Sequence, residues 1–239
     1  MANQETPSIG PAEASPIASG TTRPLLIGPP SGPVDPYPLR MSGPVISGFG
    51  RGSRELGIPT ANLPVDSSIT PWISDIPSGV YFGWASLLLP PTHPQYKPSS
   101  LPSSPENSWS IFPMVMSIGY NPFYKNTVRS AEVHLLKKFS EDFYGCAMRL
   151  LIMGYIRDEK DYAGLEALIA DINFDCEVAK RSLEREDWRV TQLGDGGKFE
   201  NEATQWLVRG LEENEKKAVE AAREEQKRKE EEGVGETKL

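Results

Sequence analysis

The chain has 239 residues, a formal net charge of −8 and a pI near 5.0. A general nucleic-acid binder would present a basic surface, so that class is disfavoured. No stretch approaches the roughly 18 consecutive apolar residues of a membrane span, and the N-terminus lacks the basic and apolar regions of a signal peptide, so the expectation is a soluble cytoplasmic protein, with mitochondrial association as the alternative.

Residues 1–37 are a scatter of Pro, Ser, Gly and Thr with isolated apolar residues. Such a composition cannot bury enough surface to offset chain entropy, and a disordered arm is expected. From Val45 the pattern changes to short β-like runs: "PVISGFG", "SGVYFGWASLLL", "FPMVMSIGY", "SAEVHLL" and "GCAMRLLIMGYI". Alternation, β-branched and aromatic content and bounding turn residues mark them as strands. No helix-length periodic segment separates them, which favours a barrel or sandwich over βαβ units. Between two of these runs, the Pro- and Ser-rich residues 90–111 read as a long, mobile hairpin loop that leaves the sheet and returns.

After Arg157 the period becomes helical. Leu165, Leu168, Ile169, Ile172, Cys176, Ala179 and Leu183 form one stripe, with Asp161 the expected N-cap and a break near Asn173 allowed for. This amphipathic helix should pack on the barrel. Residues 189–239 read as a linker followed by a tail, about half charged, that is either a solvated helix or disordered. Cys146 and Cys176 are expected to be small buried apolar side chains without a disulfide. The two histidines, His93 and His134, lie too far apart, and too far from the cysteines, for a zinc site, and no G-x-S-x-G elbow supports a nucleophilic hydrolase.

Two segments carry chemistry. In "GFGRGSRELGIPTANLP" the glycines 48, 50, 52 and 57 permit close backbone approach to an anion, and Arg51 and Arg54 add positive charge. It is not a Walker A loop, because Gly57 is followed by Ile58 rather than Lys; it is not a dinucleotide fingerprint, because Ser53 stands in place of the third glycine. At its end "PTAN" puts the Thr60 hydroxyl and the Asn62 amide oxygen on one face of an extended backbone, both hard oxygen ligands for a cation such as Mg2+. A plain polar turn after Pro59 explains the same residues. In the second segment, "YNPFYKNTVRSAEVHLL", Glu132 interrupts an apolar run, and alternation turns Glu132, His134 and Leu136 away from Ala131, Val133 and Leu135. A half-buried carboxylate there could take a proton from a hydroxyl attacking a phosphoryl group; an outward Glu on an exposed sheet face is the alternative.

Together, "GFGRGSRELGIPTANLP", "SGVYFGWA", "MVMSIGYNPFYKNTVRSAEVHLL", "EDFYG" and "GYIRDEKDYAGLEALIADINFD" closely resemble riboflavin kinases of the monofunctional eukaryotic type, over residues 40 to about 187. The resemblance implies a mainly β fold, a six-stranded Greek-key barrel with a C-terminal α-helix packed on it, over residues 38–188. It implies transfer of the γ-phosphoryl of ATP to the 5′-hydroxyl of riboflavin, giving FMN and ADP, with Mg2+, Zn2+ or another divalent ion; riboflavin and ATP are the expected partners, with no nucleic acid, and a monomer is expected. Carried onto this chain, it implies ATP contacts at Gly48, Arg54 and Thr60, metal ligation by Thr60 and Asn62, and a catalytic carboxylate at Glu132. Leu135, Lys137, Tyr144, Arg157, Lys160 and Tyr162 would line the flavin or FMN site. Arg54 stands where many members have Lys, which keeps the charge and changes the geometry. A flavin carrier barrel is the competing reading, and it leaves "PTAN" and Glu132 unused; an interaction module built on the charged tail leaves the whole barrel unexplained.

Overall fold

The computed structural model describes residues 23–47, 57–98, 108–120, 129–190 and 202–236. Six antiparallel strands, β1 (Leu39–Pro44), β2 (Ala61–Leu63), β3 (Gly79–Leu88), β4 (Trp109–Tyr120), β5 (Arg129–Leu135) and β6 (Ala147–Arg157), form one sheet of order β1-β6-β3-β4-β5-β2. Strands β3, β4 and β5 are successive neighbours, and β6 returns to the far side of β3, which is Greek-key connectivity. The sheet curls until its edges touch. Just past β1, the Ile46 amide donates to the Asn62 carbonyl at 2.9 Å and bridges to β2.

Strand alternation gives the curled sheet two apolar layers. Its concave side holds Met41, Leu63, Tyr81, Ala85, Leu87, Met114, Met116, Ile118, Val133, Met148, Leu150 and Ile152. Its convex side presents Val80, Phe82, Val115, Leu151 and Met153 to the helix α1 (Leu165–Leu183), which contributes Cys176, Ala179 and Leu183. Both faces of β3 and β6 are thus covered, which is why these strands read as nearly continuous apolar runs. Phe82 stacks on Trp188 with ring centroids 5.8 Å apart, closing the C-terminal end of this layer.

Several local expectations are corrected. Helix α1 is unbroken at Asn173, and its N-cap is Gly164 rather than Asp161, with no side-chain cap bond. Residues 23–37, expected within the disordered arm, are packed: Ile27 N donates to Ser182 Oγ at 3.0 Å, and Trp188 Nε1 donates to the Pro29 carbonyl at 2.9 Å. The mobile loop expected over 90–111 is shorter, since β4 already begins at Trp109, and its base is tied down. Gln95 donates to the Lys138 carbonyl at 2.9 Å, and Tyr96 meets Ser108 at 3.0 Å; residues 99–107 lie outside the described residues.

The charged tail is helical and docked. Helix α2 (Glu202–Val208) buries Leu207, and α3 (Glu213–Glu236) buries Val219. Both are held by Arg149 of β6, 1% exposed, which donates to the carbonyls of Trp206, Arg209 and Gly210 and pairs with Glu215 at 2.9 Å. Among the described residues no helix is long and apolar enough to cross a membrane.

Candidate active site

The convex face carries one continuous row of cross-strand partners. Asn62 of β2 pairs with Glu132 of β5, Glu132 with Ser117 of β4, Ser117 with Val80 of β3, and Val80 with Arg157 of β6. Directly opposed residues in an antiparallel ladder project to the same side. The row therefore runs from the "PTAN" edge through the carboxylate to the guanidinium, on the face that α1 partly covers.

Glu132 is half-buried, and burial pushes its carboxyl above the usual Glu range. Two residues along β5, the His134 ring donates from Nδ1 to the Pro59 carbonyl at 2.9 Å, because a carbonyl can only accept. That bond fastens the entry to β2 against β5. Thr60 and Asn62 supply the hydroxyl and amide oxygens of a hard-cation donor set, and Asn62 stands opposite Glu132. Their chemistry fits Mg2+; among the described residues no cluster of three His, Cys, Asp or Glu side chains offers another metal centre.

At the other end of the row the segment after β6 folds back on α1. Arg157 binds Asp175 through Nε (3.0 Å to Oδ2) and Nη2 (2.8 Å), while Lys160 and Tyr162 bind Asp171 at 2.6 and 2.9 Å. Burial tends to raise the Asp171 carboxyl, and the bonds from Lys160 and Tyr162 outweigh it, holding the group below its ordinary value. The Glu159 carboxylate lies against Gly119 of β4, where any Cβ would collide with it. Burial, and the neighbouring Glu132 charge, hold Glu159 above the ordinary Glu range.

A model of the riboflavin kinase (flavokinase) family matches residues 35–183, well over half of the chain. This chain belongs to the riboflavin kinase family. Riboflavin kinase of Pyricularia oryzae is 67% identical over 168 residues, covering 70% of this chain and 82% of that one. Riboflavin kinase of Chaetomium globosum is 59% identical over 219 residues, covering 78% and 93%. The crystal structure of riboflavin kinase from Trypanosoma brucei superposes with a TM-score of 0.49 at 23% identity, over 65% of this chain and 85% of that one. The family assignment rests on the sequence matches.

The residues that the riboflavin kinase resemblance groups around ligands are distributed unevenly. Gly48 and Arg54 lie outside the described residues. Asn62, Glu132 and Arg157 share the convex row, with Lys160 and Tyr162 beside it. Leu135 is not with them: it is 4% exposed and faces the concave core, on the opposite side of the sheet from Glu132. Lys137 follows the end of β5 by two residues, and Tyr144 precedes β6 by three, at the opposite end of that strand from Arg157. Arg157, Lys160 and Tyr162 thus gather at one end of the row, and Leu135 and Tyr144 lie apart from them.

Four residues of this region had no role in the sequence reading. Ser117 is a small polar residue in an apolar strand. Gly119, two positions on, carries the usual signal of close approach in a strand. Asp171 and Asp175 are spaced i, i+4 on α1, and Asp175 sits beside Cys176 on the apolar stripe, where a carboxylate needs a partner.

Proposed function

We propose that this chain is a riboflavin kinase that uses ATP to phosphorylate the 5′-hydroxyl of riboflavin, and that Glu132 is its general base. The observation that carries this reading is the half-buried Glu132 carboxylate, raised in pKa and directly opposite Asn62 of the "PTAN" segment in a chain of this family.

In the reaction the ribityl oxygen forms a bond to the γ-phosphorus as the bond to the bridging oxygen breaks, with the electron pair leaving on ADP. The hydroxyl proton passes to Glu132. A raised pKa brings the base nearer to the working pH, and such proton transfer is worth roughly 10²–10⁴-fold in rate. Thr60 and Asn62 would hold Mg2+, which when bound neutralises phosphate charge. Arg157, Lys160 and Tyr162 border the end of the row away from "PTAN", and we assign them to the flavin side of the site. The His134–Pro59 bond keeps the "PTAN" edge in register with the base, so orientation is built into the sheet.

The test is a chromatographic assay of purified protein with riboflavin, ATP and Mg2+. FMN and ADP appearing in equal amounts supports the reading. Tight flavin binding without FMN, with any divalent ion, leaves a flavin carrier instead.

A further inference from the structure

Residues 23–34 precede the stretch that the family model matches, yet they form a strap along α1. The anchor is Arg185, which donates to the carbonyls of Ile27, Gly28 (2.9 Å) and Pro29 (3.2 Å). Gly28 has φ +73°, and a Cβ there would stand 2.5 Å from the Trp188 ring, so the strap lies flush on the indole.

The strap delivers Arg23 to the site described above. Its guanidinium lies over the Phe174 ring, 4.6 Å from the centroid, donates to Asp171 Oδ1 at 3.3 Å, and pairs with Asp175. Asp175 is 1% exposed and is shared between Arg23 and Arg157. Asp171 is shared among Arg23, Lys160 and Tyr162. Two carboxylates thus hold three cations, and two of those cations belong to the segment assigned to the flavin side.

Arg157 and Lys160 spend donors on α1 and its approach that a substrate would compete for, Arg157 on Asp175 and the Asp158 carbonyl, Lys160 on Asp171. A carboxylate as buried as Asp175 strongly resists being left without a countercharge. Arg23 contacts both carboxylates from the strap side, independently of segment 157–162.

We infer that Arg23 is a positioning residue for riboflavin binding: it supplies the standing countercharge of Asp171 and Asp175 that lets Arg157 and Lys160 engage the substrate. This rests on the flavin-side assignment made under the proposed function. Without Arg23, segment 157–162 is held on α1 and binds riboflavin poorly, while the "PTAN" edge is untouched.

The test is steady-state kinetics of full-length wild type, Arg23→Ala, Arg23→Lys and Arg185→Ala, varying riboflavin and ATP separately. The expected result for Arg23→Ala is a KM for riboflavin raised at least fivefold, with kcat and the KM for ATP within twofold of wild type. Arg23→Lys restores most of the riboflavin KM, and Arg185→Ala, which frees the strap, raises it. Arg23→Gln, which keeps packing on Phe174 and loses the charge, replaces Arg23→Ala if that variant does not fold. A riboflavin KM within twofold of wild type, or an equal rise in both KM values, overturns the role of Arg23 alone. Wild-type protein that makes no FMN overturns the kinase reading on which it rests.

Discussion

Glu132 faces the convex side of β5, and its half-buried carboxyl titrates above the ordinary Glu value of 4.5. The folded protein therefore holds this proton more tightly than the unfolded chain does. Above the folded pKa the ionised group costs stability; the cost fades as pH falls through that pKa and is gone below the unfolded value. Glu132→Gln should be more stable than wild type near neutral pH and equally stable near about pH 3 in denaturant titrations. The same carboxylate must be ionised to act as a base, so the acid limb of kcat/KM should lie above 4.5 and vanish in the variant. Asp175 is a buried carboxylate gripped by Arg23 and Arg157. Asp175→Asn should lower unfolding free energy by about 3–5 kcal/mol, as removal of one partner from a buried ion pair does. A loss under about 1 kcal/mol would show that the two guanidinium groups are satisfied without it.

At the scale of elements, Arg149 makes more bonds to the C-terminal helices than the single bonds of Ser86 to the Leu207 carbonyl and of Arg223 to the Gly145 carbonyl. Arg149 sits between the Trp109 and Trp206 rings, 4.4 and 5.9 Å from their centroids, and its guanidinium caps the carbonyls that end α2. Arg149→Met keeps much of the packing and removes the side-chain donor to the Trp206 and Arg209 carbonyls, while Glu215 keeps its bonds from Arg209 and the Glu212 amide. Hydrogen exchange should then show α2 and α3 losing protection while β3 and β4 keep theirs, with riboflavin phosphorylation retained; equal protection in the variant would mean that Leu207, Val219 and the bonds of Ser86 and Arg223 hold the tail without Arg149. Strands β3 to β6 and α1 could be read from the sequence because each repeats its pattern over many residues: alternation in β3 to β6, helical spacing from Leu168 to Leu183; the first strand, expected in the run that begins at Pro44, instead spans Leu39–Pro44, and β2 is too short at three residues to show a pattern. The docked tail could not. Its charged surface dominates the composition, and only two of its apolar side chains, Leu207 and Val219, are among the core residues. The N-terminal strap failed in the same way, since its contacts use backbone carbonyls of Ile27, Gly28 and Pro29, which no side-chain pattern reports.

In the whole molecule, strand order is what assembles the site. Residues 62, 132, 117, 80 and 157 come from five strands and meet only because β6 crosses back beside β3 and the sheet curls. Glu132 and the "PTAN" pair were visible in the sequence, because a carboxylate in an apolar run and two oxygen donors at alternate positions are local signals. Their alignment with Arg157, and the separation of Leu135 and Tyr144 from that group, are properties of register and of sheet face, which single strands do not reveal. In the proposed reaction the phosphoryl group moves on the convex face, at Glu132. The most direct measurement is the rate of FMN formation by Glu132→Gln beside its equilibrium affinity for riboflavin, read from flavin fluorescence. The expected kcat is lower by at least ~10²-fold, with affinity changed less than about threefold. A variant that turns over within about tenfold of wild type would place the chemistry elsewhere.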